Sequence, residues 1–236
     1  MTARPRPRAL TATALAVALL AAVAVGCAPP MDPARSAAAT SAHSRLAAGG
    51  ASGPSGAAGA ALPPVVDRVR THDKVVFLTY DDGAERDPRF VELVRERRLP
   101  VSMFLTDSVV GPGYGHFARL REVGANVQNH TLDHQTLRGL PYAGQRAEIC
   151  GQQDKLRERF GIRPRLFRPP HGLYDPTTLR AAADCGVSAV VLWTKGASLR
   201  PGAIVLVGPP QVEETLRLLR EVRERGLRVA RLEDYL

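Results

Sequence analysis

Lysine is rare in this sequence, although the chain is strongly basic. Its 236 residues include 32 lysines and arginines against 23 aspartates and glutamates, which gives a formal net charge of +9. The only lysines are Lys74, Lys155 and Lys195, so arginine carries almost all of the positive charge. A basic chain favours nucleic acid or anionic cell-wall polymers as partners. Aromatic residues are only 5% of the chain and no basic run is interleaved with them, so we expect no nucleic-acid partner.

Internal repeats are also lacking. The N-terminus carries Arg4, Arg6 and Arg8, which are followed by an apolar stretch from Leu10 to Val25. This stretch is short for a permanent membrane span. Its position after a positively charged segment is typical of a signal peptide.

Cysteine occurs only three times, and Cys27 closely follows the apolar stretch. The tetrapeptide Ala24-Val25-Gly26-Cys27 resembles the lipobox of bacterial lipoproteins. It predicts a signal peptide over residues 1–26, cleavage before Cys27 and lipidation of that cysteine. Simple secretion and an uncleaved anchor are the alternatives. Residues 27–64 are mainly Ala, Gly, Ser and Pro, which predicts a disordered tether, and residues 65–236 form the predicted folded domain.

The other two cysteines are Cys150 and Cys185. In an exported protein, two such thiols can form a disulfide, and the alternative is a pair of ordinary buried thiols. The pattern favours the disulfide.

Two adjacent carboxylates stand where a buried strand is predicted to end. The apolar run Val75–Leu78 indicates the strand, and Thr79-Tyr80-Asp81-Asp82-Gly83 follows it. In parallel α/β proteins, chemistry collects at the carboxyl ends of the strands. One acid can then bind a metal while the other acts as a base. Taken alone, an Asx turn that caps the next helix explains these residues equally well.

Polar residues follow two later apolar segments in the same way. His130 and His134 lie four residues apart, and with a carboxylate they supply the ligand set of a catalytic zinc site. The third segment, Phe167-Arg168-Pro169-Pro170-His171-Gly172, places an arginine before a rigid turn. Such a histidine pair alone is most often a surface coincidence, so its weight depends on the other two segments.

With these three segments the chain resembles the polysaccharide deacetylases of the NodB-homology type, carbohydrate esterase family 4. The family motif T-[FY]-D-D-G matches Thr79–Gly83, H-[ST]-x-x-H matches His130–His134, and R-x-P-x-G matches Arg168–Gly172. The resemblance covers about residues 74–236. It implies an α/β fold, a distorted (β/α) barrel, and metal-dependent removal of acetyl groups from the N-acetylated sugars of a polymer.

The resemblance also implies roles for individual residues. Asp81 would be the catalytic base, paired with Arg168. The His/His/Asp set suits zinc best, although cobalt or nickel could occupy it. The backbone N–H of His171 would meet the oxyanion of the substrate. The implied metal ligands are Asp82, His130 and His134.

Two elements of the family are missing. Its L-x-H motif on the penultimate strand carries a histidine that protonates the leaving amine, and Gly208 stands in that position here. An Asp-x-x-Asp-Trp-like element is also absent after the strand predicted to end near Trp193. Trp193 itself can stack on a sugar ring in the substrate pocket or belong to the core.

Apolar periodicity predicts strands that alternate with helices, as in a parallel sheet that is closed or nearly closed. The predicted strands are 75–78, 101–105, 187–193, 203–207 and 227–230, and short apolar segments precede His130 and Arg168. The predicted helices are 87–98, 116–123, 145–160, 175–186 and 210–225. Asp87 is the predicted N-cap of the first helix. On helix 116–123, His116 is predicted to lie at the surface or the edge of the core.

Three functions are consistent with these features. The leading hypothesis is a zinc-dependent deacetylase of a cell-wall or chitin-like polysaccharide, monomeric and lipid-anchored at the extracytoplasmic face of the membrane. The second is a non-catalytic lipoprotein that binds wall glycan, which the missing histidine favours and the intact Asp81 disfavours. The third is another carbon–nitrogen hydrolase on the same scaffold.

Overall fold

The computed structural model describes residues 61–196 and 199–236. The predicted signal peptide, Cys27 and nearly all of the predicted tether lie outside these ranges. Pro63 is buried, and the Pro64 carbonyl accepts a hydrogen bond from the Val190 amide at 2.9 Å. These last residues of the segment predicted as tether therefore pack with the domain. None of the helices in the described ranges has the length and apolar character that a membrane crossing needs.

The core of the domain is a parallel sheet. Its strands are β1 (Val65–Val66), β2 (Val75–Asp82), β3 (Ser102–Leu105), β4 (Asn126–Asn129), β5 (Leu166–Phe167), β6 (Ala189–Val191), β7 (Ala203–Leu206) and β8 (Arg228–Val229). The order is β1-β6-β5-β4-β3-β2-β7, and β8 also pairs with β2. Val69 donates a backbone hydrogen bond to Gly202 at 2.9 Å, which brings the segment after β1 to the segment before β7. The two ends of the strand order therefore approach each other, and the predicted distorted (β/α) barrel is confirmed.

Helices connect the strands. They are α1 (Pro88–Arg97), α2 (Asp107–Val110), α3 (Tyr114–Glu122), α4 (Tyr142–Phe160), α5 (Pro176–Asp184) and α6 (Gln211–Glu224), with short 3-10 turns at Gly111–Gly113, Pro170–Gly172 and Leu232–Asp234. The Asp87 side chain accepts a hydrogen bond from the Arg89 amide, so Asp87 is the N-cap that the sequence predicts. Asp175 and Thr178 form a capping box at the start of α5. Local side-chain hydrogen bonds thus set where α1 and α5 begin.

Strand β2 pairs with three other strands, β3, β7 and β8. Its residues Val75 and Phe77 contact one apolar cluster, whereas Val76, Leu78 and Tyr80 contact a second cluster on the other face. This alternation follows from the two-residue period of a strand, and burial on both faces explains the continuous apolar run. The strand is longer than predicted, because its pairing with β3 continues through Asp82 and Leu105.

Cys150 and Cys185 are joined by a disulfide with an S–S distance of 2.08 Å. Cys150 lies in α4, and Cys185 is the residue that ends α5. The bond therefore ties the two helices together on the outside of strands β4 to β6.

His116 lies in α3 and is not part of the group of potential metal ligands. Its side chain is buried, neither ring nitrogen has a hydrogen-bond partner, and the ring packs edge-on against Phe117. Burial lowers the pKa of His116 below its usual value, Arg119 and Arg86 act in the same direction, and Asp87 opposes them. This side chain is therefore held in its neutral form near pH 7.

Acid should destabilise the domain through His116. Because the pKa of His116 is lower in the folded than in the unfolded chain, the unfolded chain binds more protons below about pH 6.5, and stability is lost as the pH falls through that range. Urea unfolding at pH 7.5 and 5.5 should therefore show a smaller pH dependence in His116→Leu than in the wild type. His72→Leu changes an exposed histidine and should keep the wild-type dependence. An unchanged dependence in His116→Leu would contradict this assignment.

Candidate metal centre and catalytic cleft

Three potential metal ligands converge at the carboxyl end of the sheet. Asp82 is the last residue of β2, and His130 directly follows β4, with His134 in the same loop. Asp82 Oδ1 lies 3.3 Å from His130 Nε2 and 3.1 Å from His134 Nε2. The three ligand atoms all lie within 4.8 Å of one another, which is close enough for one ion to contact all three.

The chemistry of these side chains fits a divalent transition metal. Asp82 Oδ1 is buried and has no hydrogen-bond partner in the described structure. Burial lowers the pKa of His134, which favours the neutral imidazole that a metal requires. A His/His/carboxylate set with room for a further ligand is typical of catalytic zinc.

His130 is oriented by a backbone carbonyl. Its Nδ1 donates to the Arg168 carbonyl at 2.7 Å, and because a carbonyl can only accept, the lone pair of the neutral ring is on Nε2. That nitrogen faces Asp82. Support of this kind from behind a histidine ligand is the usual arrangement in metal sites.

Unusual backbone conformations concentrate here. Of the five non-glycine residues with positive φ in the described ranges, four lie at this site: Asp82, Thr131, His134 and His171. A β-branched residue such as Thr131, with φ of 72°, is rare in this region because its side chain crowds the backbone. Conformations of this type persist only where the surrounding structure holds them, and they cluster at functional sites.

Asp81 forms a buried ion pair with Arg168. The Arg168 side chain is fully buried, and its Nη1 donates to Asp81 Oδ1 at 2.7 Å and to Thr79 Oγ1 at 3.0 Å. Its Nε and Nη2 donate to the carbonyls of Val191 and Leu192 at 3.2 and 3.1 Å. Every nitrogen of the guanidinium is thus bound, so Arg168 fixes the Asp81 carboxylate in place. The other oxygen, Asp81 Oδ2, lies 3.9 Å from His130 Nε2 and faces the ligands.

A cleft of about 350 Å³ opens beside these residues. His171 is exposed, and its ring centroid is 4.9 Å from that of His134. Trp193 is half-buried and lines the cleft; a Cβ at Gly172 would come within 3.0 Å of its ring. Trp193 therefore lines the cleft and also packs against the third motif, and its stacking on a sugar ring stays a prediction.

Gly208 also lines this cleft, with Leu206 and Pro209 beside it. Apart from the chain neighbours Val207 and Pro209, no atom of the described residues lies within 4 Å of the position that a Cβ would occupy at Gly208. The described histidines that line the cleft are His130, His134 and His171. The cleft wall is therefore open space at Gly208, which stands at the position of the histidine in the L-x-H motif.

Sequence reasoning missed two carboxylates near the site. Glu85 lines the cleft, and its side chain accepts a hydrogen bond at 2.9 Å from the amide of Gln211, the first residue of α6. Glu148 in α4 contacts the loop that carries the two histidines. Neither belongs to a local motif, since each acts on a segment distant in sequence, and no sequence signal identifies them.

Comparison with known proteins places these features in a family. The family model of the polysaccharide deacetylases matches residues 68–190. An uncharacterized protein of Streptomyces coelicolor is 60% identical over 221 residues, which are 86% of this chain and 88% of that protein. A chitooligosaccharide deacetylase of Bradyrhizobium is 28% identical over 160 residues, 59% of this chain and 73% of its own length.

A solved structure shows the same fold. It is a mutant, with restored enzymatic activity, of a family 4 carbohydrate esterase pseudoenzyme from Bacillus anthracis. The TM-score is 0.66 at 22% identity, and the match covers 73% of this chain and 71% of that one. Because the family model matches more than half of the sequence, this chain belongs to the polysaccharide deacetylase family.

Proposed function

We propose that this protein is a metal-dependent hydrolase that removes N-acetyl groups from a cell-wall or chitin-like polysaccharide. The observation that carries the proposal is that a set of potential metal ligands and a carboxylate base lie in one cleft. Asp82, His130 and His134 would hold the ion, and the Asp81–Arg168 pair lies directly beside them. A glycan-binding protein needs no base, whereas amide hydrolysis needs one.

Zinc is the ion that this ligand set suits best, with cobalt or nickel as alternatives. When bound, such an ion polarises the acetamide carbonyl and lowers the pKa of water. Asp81 takes the proton of the attacking water on Oδ2, because Arg168 already occupies Oδ1. Arg168 keeps the carboxylate in this orientation throughout.

The remaining steps are assigned to two further groups. The backbone N–H of His171, in the Pro170–Gly172 turn, donates to the oxyanion, so this role does not depend on the side chain. With Gly208 in place of a histidine, Asp81 also returns its proton to the leaving nitrogen. One carboxylate thus serves as base and then as acid. Trp193 and the exposed part of Leu206 form the apolar wall against which a sugar ring packs.

We also propose that the protein acts outside the cytoplasm, anchored by lipid at Cys27 and separated from the membrane by the segment 27–64. The Cys150–Cys185 disulfide supports export, because disulfides persist in oxidising compartments. The N-acetylated glycan is then the substrate at the cell envelope, and no nucleic acid is bound. We infer a monomer.

A second candidate function is favoured by one observation, the absence of a side chain at Gly208. A wall-binding lipoprotein with little or no turnover would keep the metal ligands and lose the acid. Another carbon–nitrogen hydrolase on the same scaffold would keep the base and change the substrate. The wall-binding lipoprotein would release little or no acetate, and the other hydrolase would act on a different compound.

Acetate release tests the proposed function. Purified protein with one zinc per chain should release acetate from chitooligosaccharides or peptidoglycan, and removal of the metal by a chelator should stop the reaction. Zinc added back should restore it. Binding of glycan without acetate release from any of these polymers would favour the wall-binding protein. Release of ammonia or of an acyl group from other amides, without acetate from these polymers, would favour another carbon–nitrogen hydrolase.

A further inference from the structure

The loop that carries both histidine ligands rests on one turn of α4. The Leu132 amide donates to the Glu148 carbonyl at 3.2 Å, and the Asp133 amide donates to Glu148 Oε2 at 3.0 Å. Next to them, the Asn129 side chain donates to the Ile149 carbonyl at 2.9 Å. Two hydrogen bonds from the ligand loop and one from the last residue of β4 therefore end on two consecutive residues of the helix.

The surface of α4 is shaped for this contact. Gly151 lies in the helix interior, where glycine is less stable than alanine because it has more conformational freedom to lose. A Cβ at Gly151 would come within 2.4 Å of Leu132 Cδ1, so any larger residue would displace the Leu132 side chain. Leu132 of the loop therefore packs directly against α4 at Gly151, where a residue with a side chain would not fit.

Glu148 is an uncommon residue for this position. It is 7% exposed, and no cationic side chain lies within ion-pair distance of it in the described ranges. Withdrawal of a carboxylate from water is costly unless hydrogen bonds replace the lost hydration. The Asp133 amide supplies such a bond. The burial of this charge is thus linked to the backbone of the residue that precedes His134.

His134 depends on that backbone more than His130 does. The His130 ring is 2% exposed and is bound from behind by the Arg168 carbonyl, whereas the His134 side chain is 26% exposed. His134 also has a left-handed backbone with φ of 57°, as does Thr131 with φ of 72°. Such conformations are strained for residues other than glycine and persist only where surrounding contacts hold them. The contacts to Glu148 lie between these two residues.

We propose that Glu148 is a positioning residue for the metal centre. Its carboxylate holds the Asp133 amide and thereby sets the backbone of His134, so that His134 Nε2 faces Asp82. Glu148 itself contacts neither metal nor substrate. This inference rests on the proposed function only for the identity of the ion, because the loop geometry can be measured without metal.

A matched pair of variants separates the hydrogen bond from packing. Glu148→Gln keeps an acceptor oxygen, and Glu148→Met keeps similar length and helix propensity but removes the acceptor. Loss of a group that supports a metal ligand typically weakens metal binding about 10–100-fold, and we expect zinc affinity to fall by that factor in Glu148→Met. Glu148→Gln should bind zinc as the wild type does. With cobalt in place of zinc, the visible spectrum should change in Glu148→Met alone.

Gln153→Ala is the control for a general weakening of α4. Gln153 is buried in the same helix but donates to the Pro164 carbonyl at 2.8 Å, away from the ligand loop. We expect this variant to unfold at lower urea and to keep wild-type zinc affinity. Equal losses of zinc affinity in Gln153→Ala and Glu148→Met would overturn the proposal.

Amide hydrogen exchange in the metal-free protein provides the second readout. The Asp133 amide should exchange faster in Glu148→Met than in the wild type and remain protected in Glu148→Gln. Unchanged exchange in Glu148→Met would overturn the positioning role whatever the zinc result. A wild-type protein that binds no zinc would instead contradict the proposed metal centre, while faster exchange in Glu148→Met would still support the role of Glu148.

Discussion

Replacement of His130 by alanine is expected to abolish stoichiometric zinc binding and to lower acetate release by about 10³-fold or more. His130 supplies one of the three ligand atoms, and Nε2 of its buried ring lies 3.3 Å from Asp82 Oδ1. Several kcal/mol of charge stabilisation are lost with the ion, and each 1.4 kcal/mol is about a factor of ten in rate. Metal analysis of the dialysed protein measures the first effect, and acetate release measures the second.

His171→Ala is the matched control. It also removes an imidazole, 4.9 Å from the ring of His134, but His171 is exposed and outside the ligand triad. This variant should keep one zinc per chain. Asp82→Ala and His134→Ala should behave like His130→Ala, and all of these proteins should keep the wild-type far-ultraviolet circular dichroism. Equal zinc in His130→Ala and the wild type would show that the ligand assignment is wrong.

The sequence largely predicts which residues meet at this site. Asp82, His130 and Arg168 each follow a short apolar segment, and the three segments form the parallel strands β2, β4 and β5. Parallel strands present their carboxyl ends at one edge, so residues far apart in sequence meet there. The starts of α1 and α5 are equally predictable, because Asp87 and Asp175 cap them through contacts within three residues. The start of α4 is not: it has no side-chain cap and begins at Tyr142, before the predicted residue 145.

The shape of the site is not predictable in this way. Thr131 adopts a left-handed backbone against its own preference, which only the contacts of the folded loop can impose. Its neighbours Leu132 and Asp133 bond to Glu148, in a helix for which the loop sequence carries no signal. His116 shows the same limit: its place beside Phe117 predicts the edge of the core, and tertiary packing buries it without a polar partner.

The second large effect concerns Asp81. Asp81→Asn should lower acetate release by about 10²–10⁴-fold, the usual contribution of general acid–base catalysis, while zinc stays bound. Asparagine keeps an oxygen that can accept from Arg168 Nη1, so the buried guanidinium retains a partner, although it loses a counter-charge. The zinc content and urea unfolding of Asp81→Asn therefore have to be measured beside its rate. A rate equal to wild type would exclude Asp81 as the base.

Gly208→His extends this test to the missing acid. Apart from its chain neighbours, no atom of the described residues lies within 4 Å of the Cβ position of Gly208, so a histidine side chain has room to enter the cleft beside Asp81. If Asp81 alone now serves as base and acid, a second proton donor should raise the rate by about tenfold or more, within the range of general acid catalysis. His171→Phe should change the rate little, since the oxyanion donor at that residue is its backbone. The four proteins are compared on one acetylated oligosaccharide at equal zinc content. A fall in His171→Phe as large as that in Asp81→Asn would identify His171 as the acid, and the single-carboxylate scheme would then be wrong.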